Sequence, residues 1–312
     1  MASLLVIGGS GFFGKSFLDS FQRGLLRPWS IDKVLILSRH ATDLLTSHPE
    51  LLSGAIELID VDITTVDFLP FADYVVHAAA STDASRYLSH NEEEKKNIIM
   101  GILNYCQLAT RFHKDSMIVF TSSGAVYGYQ PEYVKYLTED MAFGDIENLD
   151  EVKKSYAYAK RDAESAIQKL GQAGLNVSIA RCFSFIGKYL PRDQHFAIGN
   201  FIADGLAGKD INVKADRKVY RSYMYADDLV KWLMTLAENA NAQCPVYNVA
   251  SDEEVEIREL ADIVSNIFNV RIKSSENITK HVDRYIPSTE KAKKVLSLQV
   301  NYDLSQAILL SI

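Results

Sequence analysis

Tyr156 and Lys160 stand four residues apart in "SYAYAK", at the head of a stretch, "RDAESAIQKL", that keeps a helical pattern. Residues at i and i+4 leave a helix from one face, so the phenol and the ammonium share a side. A free phenol titrates near pH ~10 and is a sluggish acid or base at neutrality. A neighbouring cation favours the phenolate and draws that value toward the working pH, as proton transfer to or from a carbonyl or alcohol oxygen requires. The spacing by itself recurs in many helices. It gains weight from "FTSSGAVYG", where Ser123 closes an apolar run and offers a hydroxyl that could hold a reacting oxygen near Tyr156.

A second pattern supplies the partner for such chemistry. In "SLLVIGGSGFFGKSFLDSF", Gly8, Gly11 and Gly14 fall where an apolar run stops and a helical pattern begins. Gly8 allows a sharp turn, Gly11 lets backbone amides approach a pyrophosphate, and Gly14 lets the helix pack tightly on a sheet. Phe12 and Phe13 belong to the same turn. A dinucleotide diphosphate would sit on the helix N-terminus, where unpaired N–H groups and the macrodipole favour negative charge. An NAD site would carry an acidic residue at the end of the second strand. Here "LILSRH" offers Ser38 and Arg39 instead, which can donate to a 2'-phosphate, so NADP(H) is favoured and NAD(H) stays open.

These groups need a scaffold that brings strand ends together. Short β-branched runs at "SLLVIG", "KVLILS", "AIELIDVD", "YVVHAA", "SMIVFTSS" and "NVSIARC" alternate with helical stretches. Phe13, Phe17 and Phe21 recur every four residues, and "NIIMGILNYCQLATRF" carries a similar stripe. The pattern predicts βαβ units in a doubly wound parallel α/β sheet, with Ser123 at its carboxyl edge. After about residue 181 the pattern loosens. "IGNFIADGLAG", "ADDLVKWLMTLAENA", "IRELADIVSNIFNV" and "TEKAKKVL" read as helices and "PVYNVAS" as a strand. A dinucleotide-binding domain over 1–180, with returning segments around 218–250, is expected to interleave with a substrate lobe of 181–217 and 251–312. The long connection "YQPEYVKYLTEDMAFGDIENLDEVKK" reads as a lid or specificity loop.

Composition narrows the partners. A formal charge of -7 leaves no bulk positive field for nucleic acid. The three cysteines, Cys106, Cys182 and Cys244, are too widely and irregularly spaced for a disulfide framework or a zinc site, so no metal is expected and a reducing cytoplasm is the simplest home. No stretch approaches the roughly 18 uninterrupted apolar residues of a membrane span.

Taken together, "VIGGSGFFG", "DVDIT", "VVHAAA", "TSSGAVYG", "TED", "YAYAK", "RCFSFIG", "RSYMYADD" and "YNVAS" resemble, in order and over almost the whole chain, the NAD-dependent epimerase/dehydratase group of extended short-chain dehydrogenases/reductases. The resemblance implies a Rossmann sheet with Ser123, Tyr156 and Lys160 as catalytic triad, Lys160 also holding the nicotinamide ribose. It places Asp62 and Ile63 at adenine and lines the cofactor with Ala78 and Ala79. Relatives acting on nucleotide-activated sugars carry groups matched here by Asn200 and Arg221, and Arg284 is a further candidate for the substrate diphosphate. A homodimer through a four-helix interface is also implied.

Departures matter as much. Ser184 stands where the group usually has asparagine, and Ala215 and Arg217 where it often has glycines. The 4,6-dehydratases place an Asp-Glu pair directly after the catalytic hydroxyl residue, and this chain has Gly124 and Ala125. The expectation is therefore reduction of a 4-keto, 6-deoxy nucleotide sugar, with 4-epimerisation as the alternative. A non-catalytic dinucleotide-binding protein would have no use for Ser123, Tyr156 and Lys160 as a set. Arg221 and Asn200 argue against a reductase of non-sugar carbonyl compounds.

Overall fold

The computed structural model describes residues 1–80, 84–147, 149–194, 196–274, 279 and 282–312, with backbone alone for 84–88. The chain runs β1 (Ala2–Ile7), α1 (Phe12–Gln22), β2 (Ile31–Ser38), α2 (Leu44–Ser47), β3 (Ile56–Asp60), β4 (Tyr74–His77), α3 (Ala84–Phe112), β5 (Met117–Ser123), α4 (Glu151–Gln172) and β6 (Asn176–Cys182). It continues through β7 (Phe185–Ile186), α5 (Ala197–Leu206), β8 (Ile211–Val213), β9 (Lys218–Arg221), β10 (Met224–Tyr225), α6 (Ala226–Glu238), β11 (Val246–Val249) and β12 (Val255–Glu256). It ends with α7 (Ile257–Phe268), β13 (Ile272–Ser274), β14 (Val282–Arg284), α8 (Glu290–Leu296) and α9 (Leu304–Leu309).

Seven strands form one parallel sheet in the order β11-β6-β5-β4-β1-β2-β3. The six apolar runs of the first half all join it, and "PVYNVAS" adds the seventh strand beside β6. Both faces are covered, which is why central β1 reads as a near-continuous apolar run with Leu4, Leu5, Val6 and Ile7 all buried. In β1, Leu4 and Val6 enter one core with Phe17 of α1 and Trp232 of α6, while Leu5 and Ile7 enter the opposite core with Ile102 and Tyr105 of α3 and Ala163 and Ile167 of α4. Strand order reverses between β1 and β4, so the carboxyl ends of these two neighbours open the crevice in which such sheets take ligands.

A third cluster joins α5, α7 and α9 through Phe201, Ile202, Leu260, Val264, Leu304 and Ile308. Small sheets accompany it, β12-β9-β14 and β13-β8, and β10 pairs with β7. Phe12 packs against both this cluster and the core under α1. The long connection before α4 is pinned down. Leu137 N donates to Ile286 O at 2.9 Å, and Gln130 accepts from Ile286 N at 2.9 Å. Among the described residues no helix is long and apolar enough to cross a membrane.

Candidate active site

The glycine turn is built as its spacing demands. Gly8 has φ +84, and a Cβ there would lie 2.7 Å from the backbone of Ala78 and Ala79 at the end of β4. A Cβ on Gly14 would come within 1.9 Å of Gly9 O, so helix and turn touch backbone to backbone. At Gly11 the nearest neighbour of a Cβ would be Gly8 O at 3.6 Å, so that face is open. Gly11 caps α1 in extended conformation and, being glycine, offers no capping side chain to the helix's first N–H groups. An open face at Gly11 at a helix N-terminus without a capping side chain fits a dinucleotide diphosphate. The rings of Phe12 and Phe13 are engaged in packing, Phe13 edge-on to Phe185 at 5.3 Å, so what this pair offers the turn is backbone.

At the adenosine end, Ser38 Oγ accepts from His40 N at 3.2 Å and orders the turn after β2. Arg39 is exposed and has no ion-pair partner among the described residues. A carboxylate does stand nearby: Asp60, in register with Ser38, closes onto Thr42, whose N–H it accepts at 2.9 Å. Asp62 turns one carboxylate oxygen onto Thr64 N at 2.9 Å, and Ile63 is buried with its carbonyl accepting from Asn104 Nδ2 at 2.9 Å.

Ser123, Tyr156 and Lys160 come together where β5 and α4 meet. Asp150 caps α4 by accepting from Lys153 N at 2.9 Å, which starts the helix one turn before Tyr156. Lys160 is buried, its Nζ donates to Thr121 O at 2.9 Å, and it lies 5.7 Å from the centre of the Tyr156 ring. Burial pulls its pKa down to about 8, with Cys182 and Glu164 opposing. Burial likewise pushes the Tyr156 phenol up to about 12, against a side-chain hydrogen bond with Ser123. Burial thus raises the phenol, where the sequence predicts a value lowered by the neighbouring ammonium. Ser123 Oγ also accepts from Ala125 N at 3.2 Å, so one hydroxyl both caps a turn and faces the phenol. Below Lys160, buried His77 is kept neutral, its pKa lowered to about 3 by burial and then by the lysine.

A buried polar network holds β5 and α4 in register. Glu164 accepts from Ser122 Oγ at 2.6 Å and from Arg181. Arg181 Nη1 reaches Tyr127 Oη at 2.9 Å, and Tyr127 donates to Asn248 Oδ1 at 2.8 Å.

The substrate candidates separate. Arg221 pairs with Asp283 at 3.0 Å and lies 5.8 Å from the ring of Tyr285. Arg284 points the other way, held by Glu254 and stacked 4.5 Å over Tyr220, because neighbouring strand residues face opposite sides. Asn200 donates to Gln194 O at 2.9 Å, tying α5 to the segment before it. On the face that Arg284 avoids, the Tyr285 hydroxyl lies beside Gly124, the residue after Ser123, where a Cβ would sit 2.5 Å from it. Sequence reasoning passed over Tyr285, although alternation along "DRY" would have set it opposite Arg284. It also passed over Glu164 and Arg181, whose charges carry no spacing signal and meet only in the folded chain.

Comparison with known proteins agrees with this architecture. Over 312 residues the chain is 28% identical to UDP-glucuronic acid decarboxylase 6 of Arabidopsis thaliana, covering 98% of this chain and 86% of that protein. Decarboxylase 1 of the same plant is 27% identical over 310 residues, 98% of this chain and 68% of its own length. Among solved structures, UDP-glucose 4-epimerase of Thermotoga maritima with UDP-glucose superposes with TM-score 0.79 at 18% identity, over 99% of this chain and 97% of the other. The dTDP-glucose 4,6-dehydratase of Streptomyces venezuelae with NAD gives 0.80 at 21%, over 99% and 94%. The model of one family matches residues 4–250, and with its motifs in order along the parallel sheet the chain belongs to the NAD dependent epimerase/dehydratase family.

Proposed function

We propose that this chain is an NAD(P)(H)-dependent oxidoreductase of nucleotide-activated sugars, and that its net reaction is reduction of a 4-keto sugar, a 6-deoxy one by preference. The reading is carried by the juxtaposition of Tyr156, Ser123 and Lys160 where β5 and α4 meet, a phenol that can donate a proton with an ammonium 5.7 Å from its ring. A nicotinamide coenzyme held at the glycine turn would supply the hydride and, once oxidised, a positive charge. Ser123 hydrogen-bonds the carbonyl oxygen and Tyr156 delivers its proton as negative charge develops there. Lys160, fixed by Thr121 O, holds the phenolate that remains. Arg221, with Asn200 toward the far end, orients the diphosphate.

The residues after Ser123 support hydride chemistry at one carbon. Gly124 and Ala125 bring no carboxyl group with which to deprotonate a neighbouring carbon. The names of the relatives support a nucleotide sugar as substrate class. For the coenzyme, exposed Arg39 supports NADP(H). A second reading, 4-epimerisation with NAD, uses the same residues and is favoured by the NAD dependence in the family description, since returning the hydride leaves no net redox.

The test is incubation of the full chain with a panel of 4-keto and 4-hydroxy nucleotide sugars, products read by NMR and NADPH by absorbance. Stoichiometric NADPH loss with a 4-keto substrate supports the reductase. Interconversion of 4-hydroxy epimers without net redox replaces it with the epimerase, and no turnover of any member overturns both.

A further inference from the structure

Arg221 carries a resident anion. In the sheet β12-β9-β14, Asp283 is in register with Val219, two residues before Arg221, so the two side chains leave the same face. The Asp283 carboxylate lies 3.0 Å from Arg221 Nη1, and both side chains are half-buried. The same nitrogen donates to Tyr220 O at 2.8 Å and to Asp283 O at 3.4 Å, so backbone carbonyls hold the guanidinium with or without the carboxylate. No other hydrogen bond to this guanidinium is made among the described residues.

On the opposite face of the same strands the pairing repeats, with Arg284 held by Glu254. Tyr285 returns to the first face. Its ring lies 5.8 Å from the Arg221 guanidinium carbon, and its hydroxyl lies beside Gly124, the residue after Ser123. One tyrosine side chain therefore spans the gap between Arg221 and the catalytic strand end. A pyranose has C4 and C1 at opposite ends, so a sugar reacting at C4 beside Ser123 brings its anomeric phosphate toward Arg221.

We propose that Asp283 is an affinity-setting residue, a resident carboxylate that shares Arg221 with the diphosphate of the substrate and so loosens the grip on it. This rests on the role given to Arg221 above. Two anions on one cation repel each other, and at a half-buried pair water and salt screen that repulsion only in part. Because Tyr220 O fixes the guanidinium independently, the charge of the carboxylate outweighs its help in positioning. The product carries the same diphosphate as the substrate, and a weaker hold on it shortens the time it stays bound.

The experiment is calorimetric titration of the full chain with UDP and, separately, with dTDP, for wild type, Asp283→Asn, Glu254→Gln and Arg221→Met. Asp283→Asn is expected to bind the nucleotide about 3- to 10-fold more tightly, and the gain should shrink in about 1 M NaCl, as a charge effect must and a change of shape would not. Glu254→Gln removes an equal charge from the other face of the same strands and should stay within about twofold of wild type. Affinity in Asp283→Asn equal to or weaker than wild type overturns the proposal, as does an equal gain in Glu254→Gln. Arg221→Met separates the two readings: if it weakens binding while Asp283→Asn brings no gain, only this proposal falls. If it leaves binding unchanged, or if neither nucleotide binds any of the four proteins, the role of Arg221 falls and this proposal with it.

Discussion

Glu164 on α4 and Arg181 on β6 meet in a buried fork, Nε to Oε1 at 3.0 Å and Nη2 to Oε2 at 2.9 Å. Glu164 stands one turn beyond Lys160 and also accepts from Ser122, the residue before Ser123. The pair therefore fastens the helix that carries the phenol and the ammonium to the strand that carries the hydroxyl. Removing one partner of a buried pair strands the other charge, at a cost of about 3–5 kcal/mol. Glu164→Ala should lose about that much stability in urea unfolding; a loss under ~1 kcal/mol would mean the fork does not tie these elements together.

The glycine turn separates folding from binding. Gly14→Ala should fail to fold normally, because its Cβ meets Gly9 O at 1.9 Å. Gly11→Ala has room in the protein and should melt near wild type, yet its methyl would enter the face open to the diphosphate. Calorimetry should show dinucleotide affinity reduced roughly tenfold or more, about 1.4 kcal/mol. Unchanged affinity would move the diphosphate away from this turn.

Tyr156→Phe removes the proton donor while keeping the ring. Turnover on the substrate found in the panel should fall by about 10²- to 10⁴-fold, with dinucleotide affinity nearly unchanged. Near-normal turnover would mean another group supplies the proton.

Lys160 links stability to pH. Its pKa is lowered to about 8 by burial, below its ordinary value of 10.5. Between about pH 8 and 10 the unfolded chain binds this proton and the folded chain does not, so the lysine makes stability rise with pH. Below pH 8 both states hold the proton and its contribution is flat. The Tm of wild type relative to Lys160→Met should therefore climb from pH 8 to 10; a constant difference would mean that Lys160 is not desolvated.

Coenzyme choice is read at the end of β2. Arg39→Asp should shift the ratio of kcat/KM for NADPH over NADH toward NADH by about tenfold or more, as loss of a phosphate contact and gain of a like charge imply. An unchanged ratio would show that Arg39 does not read the 2'-phosphate.

What the sequence determined by itself was everything set by short-range geometry. The strand period, the glycine spacing and the four-residue step from Tyr156 to Lys160 act within a few residues, and each reappears as written. Only the folded chain decided which distant groups meet and how much water they keep. Arg284 was turned onto Glu254 by the pleat of β14, the same pleat delivered Tyr285 to Gly124 beside Ser123, and Arg221 acquired Asp283 as partner. The protonation of Tyr156 belongs to this second class as well. A local pattern shows the helpful ammonium four residues away, but desolvation comes from the layers packed around the phenol, and these exist only once the sheet, α4 and the β14 segment have closed on one another.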